Sequence, residues 1–142
     1  MSDFDLTDFL PYLLNRAAEK ASRDFQAVYK RDYGMLRTEW RVLFHLGIYG
    51  AMTARKICQR GELHKTKVSR AVAALQSKRF LKRQRSQIDG REELLRLTNS
   101  GYLVFRHLRD QAADYHLALA QHFSEDEFQQ FKASLKKIIA DR

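Results

Sequence analysis

Apolar side chains return at helical spacing along most of the chain. Leu10, Leu13, Leu14, Ala17, Ala18, Ala21, Phe25, Val28 and Tyr29 mark one face of a first helix. Asp8 is its expected cap, Pro11 sits in the tolerated first turn, and Gly34 closes it. Around a second helix, over about residues 38–46, Trp40, Val42, Leu43, Phe44 and Leu46 point in most directions, which predicts a mostly buried element. Thr53 caps a short third helix ending near Arg60, and Gly61 turns the chain into a fourth over residues 64–78. The core side of that fourth helix is Val68, Ala71, Val72 and Leu75. Its free side, at 100° per residue, carries Thr66, Ser69, Arg70 and Ala73, flanked by Lys65 and Lys67.

Between residues 80 and 98 the helical period gives way. Segments 80–85 and 91–97 read as two strands around Ser86-Gln87-Ile88-Asp89-Gly90, a turn-rich tip ending in Asp-Gly. Thr98 then offers a fresh cap for a fifth helix over residues 99–122. Phe105, Leu108, Ala112, Tyr115, Leu119 and His122 recur along it at alternating spacings of three and four, the seam of a helix packed along a partner. Ser124 and Glu127 form a capping box before a sixth helix, whose apolar face is Phe128, Phe131, Leu135, Ile138 and Ile139. The fold expected is mainly α: one domain over 1–142, with a winged helix-turn-helix lobe at 36–98 between long dimerisation helices at 1–34 and 99–142.

Charge gives this pattern a direction. The chain carries a formal net charge of +9. Residues 52–96 contain 13 Lys and Arg against four acids, so that stretch holds the whole excess and the rest balances. A positive face attracts polyanions, and the major groove of duplex DNA is wide enough for a helix. Double-stranded DNA is therefore the expected partner. Thr66, Ser69 and Arg70 are the expected readers of base edges, Arg70 first, because its fork matches guanine O6 and N7. Arg55, Lys65 and Lys67 are placed to meet phosphates, and the hairpin's Arg83, Arg85 and Arg91 to follow the backbone into a minor groove.

Other chemistry finds little footing. No Ser-His-Asp, paired-carboxylate or phosphate-loop arrangement is visible, so no enzyme, catalytic residue or cofactor is expected. His45, His64, His107, His116 and His122 lack metal-ligand spacing, and one cysteine, Cys58, cannot form an internal disulfide. Cys58 is expected to be a small packing residue. The acidic start, MSDFDLTDF, lacks the basic region of a signal peptide, and no apolar run is long enough to span a bilayer. A cytoplasmic location without membrane contact is expected.

At this point the chain resembles the MarR (multiple antibiotic resistance regulator) family of transcription factors. The resemblance is carried by Glu39-Trp40-Arg41-Val42-Leu43, by Lys65-Thr66-Lys67-Val68-Ser69-Arg70, by Asp89-Gly90-Arg91 and by Leu97-Thr98-Asn99-Ser100-Gly101. It implies a homodimer held by the first, fifth and sixth helices on a pseudo-palindromic operator. It implies that Asp89 orders the wing tip while Arg91 enters the minor groove. Tyr33, Trp40 and Phe44 are expected first as core residues; the resemblance also places near them, as the second reading, a pocket for a small aromatic or phenolic effector. Two positions depart from the family pattern: Phe80 stands where many members have glycine, and His64 where a small capping residue is usual. A ligand-responsive regulator, most simply a repressor, is the leading expectation. A constitutive or architectural DNA-binding protein is the alternative, and a protein-docking winged helix the third.

Overall fold

The computed structural model describes residues 3–85 and 92–141. Six helices and one hairpin follow in the order α1 Leu10–Tyr33, α2 Arg37–Tyr49, α3 Ala54–Gly61, α4 Lys65–Ser77, β1 Leu81–Arg85, β2 Glu93–Leu97, α5 Asn99–Ala120 and α6 Glu125–Ala140. The mainly helical winged-helix expectation holds. The chain divides into two compact units, Met1–Arg109 and Asp110–Arg142.

In the first unit the core is built where α2, α4 and the hairpin meet. Val42, Leu43, Leu46, Ile57, Val68, Val72 and Leu75 are buried, with Leu81, Leu95 and Leu97 from the strands. The strands pair antiparallel with Leu81 opposite Leu97 and Arg85 opposite Glu93. Leu81 alone on β1 is buried, so β2 anchors the hairpin. A bridge from Met52 to Leu95, with bonds of 3.2 and 2.8 Å, ties that strand to the α2–α3 turn. Two core positions of the expected α5 seam belong here as well: Phe105 lies edge-on to Phe44 at 5.2 Å and Leu108 is fully buried. The seam is therefore divided between a core end and a half-exposed end at Ala112, Tyr115 and Leu119, while His122 falls beyond the helix.

The helix ends follow local chemistry. Thr53 caps α3 by accepting from the Lys56 amide at 3.1 Å, and Thr98 caps α5 by accepting from the Gly101 amide at 3.0 Å. Gly34 closes α1 in the left-handed conformation, φ 63°. Asp8, the expected cap of α1, is not its cap. A 3-10 turn over Leu6–Asp8, capped by Asp5, consumes that segment, and Phe9 takes the N-cap position without a side-chain bond. The Asp5 carboxylate accepts from both the amide and the hydroxyl of Thr7, which is why the earlier acid won.

In the second unit Ser124 and Glu127 form the expected capping box, at 3.2 and 2.9 Å. The bond from the Ser124 amide holds the Glu127 carboxyl below its ordinary value. A depressed carboxylate stabilises above its unfolded pKa and loses that contribution as pH falls through the folded one. The cap is therefore expected to be fully present at neutral pH and to fade in acid below about 4.5. The Phe123 ring lies tilted against Phe128 at 5.8 Å and Phe131 at 5.6 Å, yet none of the residues of α6 is buried.

Gly101 has no room for a side chain. A Cβ there would overlap the Phe80 carbonyl oxygen, a backbone atom that cannot swing away. Gly101→Ala is expected to cost at least the ~1–3 kcal/mol typical of overpacking, read as a lower urea midpoint.

Candidate nucleic-acid interface

The fourth helix presents its charged side because its other side is core. Val68, Ala71, Val72 and Leu75 are buried, while Lys65, Thr66, Lys67, Ser69 and Arg70 are all exposed. The helix starts cleanly despite its unusual cap. His64 occupies the N-cap position, and its Nδ1 accepts from the Thr66 amide at 3.2 Å. An imidazole nitrogen with a free lone pair does here what an Asp oxygen would do.

The candidate residues fall into two groups on either side of α4. Arg55 of α3, Lys65 and Ser69 of α4 and Arg83 of β1 border one cleft of about 570 Å³. Thr53, Cys58, Val72 and Leu95 lie in its walls and floor, and Glu92 and Glu93 on its wing side. Lys67 and Arg70 face a second cleft of about 350 Å³, whose opposite wall is the first turn of α2 with Leu36, Arg37, Thr38 and Glu39. Thr66 and Arg85 are exposed outside both. Asp89 and Arg91, with the tip from Ser86 to Gly90, lie outside the described residues.

Arg83 is not a free cation. Its Nε donates to Gln76 Oε1 at 2.8 Å and its Nη1 approaches Glu93 Oε2 at 3.5 Å. The guanidinium thus spans from α4 to the wing stem. An ion pair this exposed contributes at most about 1 kcal/mol, so Arg83 can still turn to a phosphate at small cost. Sequence reasoning missed Arg37 and Thr38 at this surface. The start of α2 comes beside the basic side of α4 only through tertiary packing, which no local pattern encodes. Arg37 itself pairs with Glu19 at 3.3 Å.

The three aromatics read as core, or as the lining of an effector pocket, separate. Trp40 and Phe44 meet edge-on at 5.0 Å, within a chain of rings running through Phe25, Tyr29 and Phe105. Tyr33 instead contacts Phe80 and His107, and its hydroxyl lies 2.5 Å from His107 Nδ1. Tyr29 is fully buried and its hydroxyl has no hydrogen-bond partner among the described residues. Burial pushes that phenol above its ordinary pKa, against the smaller pull of Trp40 and Arg37.

Residues 33–92, the segment just described, match the model of the MarR family. Over that segment the chain is similar to the MarR family. Solved structures agree in fold over the whole length. The chain is similar to Bordetella bronchiseptica BpsR, whose DNA binding is regulated by 6-hydroxynicotinic acid. The two are 17% identical, with a TM-score of 0.90, over 99% of this chain and 100% of that one. It is also similar to a MarR/EmrR family transcriptional regulator from Acinetobacter sp. ADP1, 26% identical with a TM-score of 0.85, over 95% of each chain. S. aureus MepR, solved in complex with DNA, is 19% identical with a TM-score of 0.83, over 97% of this chain and 98% of that one. No curated protein matches the sequence. Along the chain the winged-helix lobe follows α1 and precedes α5 and α6. Among its described residues no helix is long and apolar enough to cross a membrane, and no group of three or more His, Cys, Asp or Glu could hold a metal ion.

Proposed function

We propose that this chain is a MarR-family regulator, a homodimeric, sequence-specific repressor in the cytoplasm that binds a pseudo-palindromic operator and is released by a small aromatic or phenolic effector. The observation that carries the reading is the wholly exposed face of Lys65, Thr66, Lys67, Ser69 and Arg70, beside the exposed cations of the wing stem. Thr66, Ser69 and Arg70 read bases. Arg55, Lys65, Lys67, Arg83 and Arg85 hold phosphates, Asp89 orders the wing tip and Arg91 enters the minor groove. The dimer is supported by α6, which buries nothing in the monomer, and by Leu10 and Leu13 of α1, 54% and 45% exposed.

An effector is supported by the structural neighbour BpsR, whose DNA binding is regulated by 6-hydroxynicotinic acid. The tight ring packing around Trp40 and Phe44 favours the alternative, a constitutive DNA-binding protein without effector. One experiment tests both. Rounds of selection from a random duplex library yield an operator, which is footprinted and then challenged with a panel of aromatic acids and phenols. A consensus with two inverted half-sites, released by one of the panel, is the result expected. No consensus removes the regulator, and a consensus that no compound releases leaves the constitutive form.

Cys58 is half-buried in the wall of the larger cleft. It serves as packing, so Cys58→Ser is expected to leave operator affinity within about twofold, about 0.4 kcal/mol, with or without peroxide. A peroxide response that the substitution removes would assign the thiol a redox role instead.

A further inference from the structure

The least expected side chain in the reading lobe is Glu39, only 5% exposed and the only buried charged residue among the described residues. Both of its oxygens are engaged. Oε1 accepts from Lys78 Nζ at 2.7 Å and Oε2 accepts from the Leu36 amide at 3.2 Å. A carboxylate fixed at both oxygens is rigid, and its partner Lys78 is the C-cap residue of α4. The pair therefore joins the start of α2 to the end of the recognition helix.

That end is fastened on its other side as well. Arg79 takes the left-handed conformation, φ 66°, at the position where glycine is usual. Its amide donates to Gln76 and the Phe80 amide to Leu75, so the helix closes on a full Schellman turn built on a non-glycine residue. The Arg79 carbonyl accepts from Thr98 Oγ1 at 2.7 Å and the Phe80 carbonyl from the Thr98 amide at 3.1 Å. Thr98 is itself the cap of α5, and the Phe80 ring lies edge-on to Tyr33 of α1. Arg79 thus carries the left-handed turn, and Phe80 is free to pack. By contrast the other end of α4 is held by its His64 cap.

We propose that Glu39 is a positioning residue for DNA reading, and that with the Lys78–Arg79 turn it sets the angle at which α4 is presented. The proposal rests on the reading of α4 as the element that meets base edges. Leverage makes the angle matter. Thr66 stands twelve residues from Lys78, about 18 Å along the helix axis at 1.5 Å per residue. A tilt of about 5° at the exit moves Thr66 by about 1.5 Å, more than a hydrogen bond tolerates. Nothing in this arrangement needs an ion pair for stability, since buried pairs are often replaceable by apolar residues without loss of folding. What the pair adds over an apolar contact is direction.

The experiment compares Glu39→Gln, Glu39→Met/Lys78→Met and Arg79→Gly with the wild-type chain. The probes are a duplex selected by the wild-type protein from a random library and a scrambled duplex of the same composition. Fluorescence anisotropy gives the ratio of the two affinities, and urea unfolding gives stability. Glu39→Gln is expected to lower the ratio about tenfold while affinity for the scrambled duplex changes less than twofold. The double methionine variant is expected to keep the wild-type urea midpoint and still show the lowered ratio. Arg79→Gly relieves the left-handed strain and raises the midpoint, yet loosens the turn and lowers the ratio several-fold. Stability and discrimination moving in opposite directions is a result that a merely structural role does not give. If all three variants keep the wild-type ratio, or if the ratio follows the midpoint up and down, the positioning role is wrong. A wild-type chain that shows no preference at all fails differently, because it removes the DNA-reading function itself and this inference with it.

Discussion

Glutamate at both Ile138 and Ile139 is expected to convert the protein from dimer to monomer and to abolish operator binding at concentrations where the wild-type chain is saturated. The two side chains are 47% and 78% exposed, so the monomer loses little by the exchange. In a two-fold interface each change counts twice. Every isoleucine removed forfeits part of the ~1.5–3 kcal/mol of a fully buried aliphatic side chain, and each glutamate adds a desolvation cost of several kcal/mol. Against a dimer of nanomolar to micromolar affinity, some 8–12 kcal/mol, four such charges are decisive. DNA binding follows because one half-site alone lacks the second, intramolecular contact, commonly a factor of 10²–10⁴. Sedimentation velocity at micromolar concentration checks the assembly and anisotropy checks the DNA. A wild-type monomer, or a variant that remains dimeric, would sink the proposal.

Much of the fold was legible because the helices announce themselves twice, by period and by cap. Thr53, Thr98, Gly34 and the Ser124–Glu127 box all act where the sequence puts them. The hairpin was readable from the Asp-Gly turn even though its alternation is poor, and the reason for that poverty is visible. β1 is an outer strand with Leu81 as its only buried residue, so nothing forces a period on Lys82 to Arg85. What failed was competition between equals. Two acids, Asp5 and Asp8, could each cap a helix, and only the geometry of the 3-10 turn decides for the first. The α5 seam failed in another way. Spacing specifies a face but not what covers it, and the face passes from the Phe44 ring at Phe105 to a half-exposed position at Tyr115.

The candidate interface was legible as a face and illegible as a set of contacts. Period alone placed Thr66, Ser69 and Arg70 opposite the core, and all three are exposed. That Arg83 is shared between Gln76 and Glu93, or that Lys67 and Arg70 look across a cleft at Arg37, depends on pairings between elements distant in sequence. Glu39 was the hardest to foresee. In the sequence it is one of the residues that carry a family resemblance, and only its burial against Lys78 gives it a physical task.

Reading and positioning should separate in the behaviour of three arginines. Arg70 lies on the free face of α4, exposed and directed away from Val68 and Val72. Arg70→Ala is expected to cost about 1–3 kcal/mol per half-site on the selected operator, and twice that in the symmetric dimer, with little change on scrambled DNA. Arg85 stands at the end of β1 opposite Glu93, where no base edge is expected. Arg85→Ala should weaken both duplexes alike and lower the salt slope by about one for each phosphate no longer neutralised. Arg91 is expected between the two, strongest where flanking A/T-rich sequence narrows the minor groove. Titration of each variant against both duplexes at several salt concentrations distinguishes the roles. The slope counts phosphates and the ratio counts bases, so the two arginines must move different axes. If Arg70→Ala and Arg85→Ala weaken both duplexes equally, α4 contributes only charge. The protein would then be a backbone binder that cannot choose an operator.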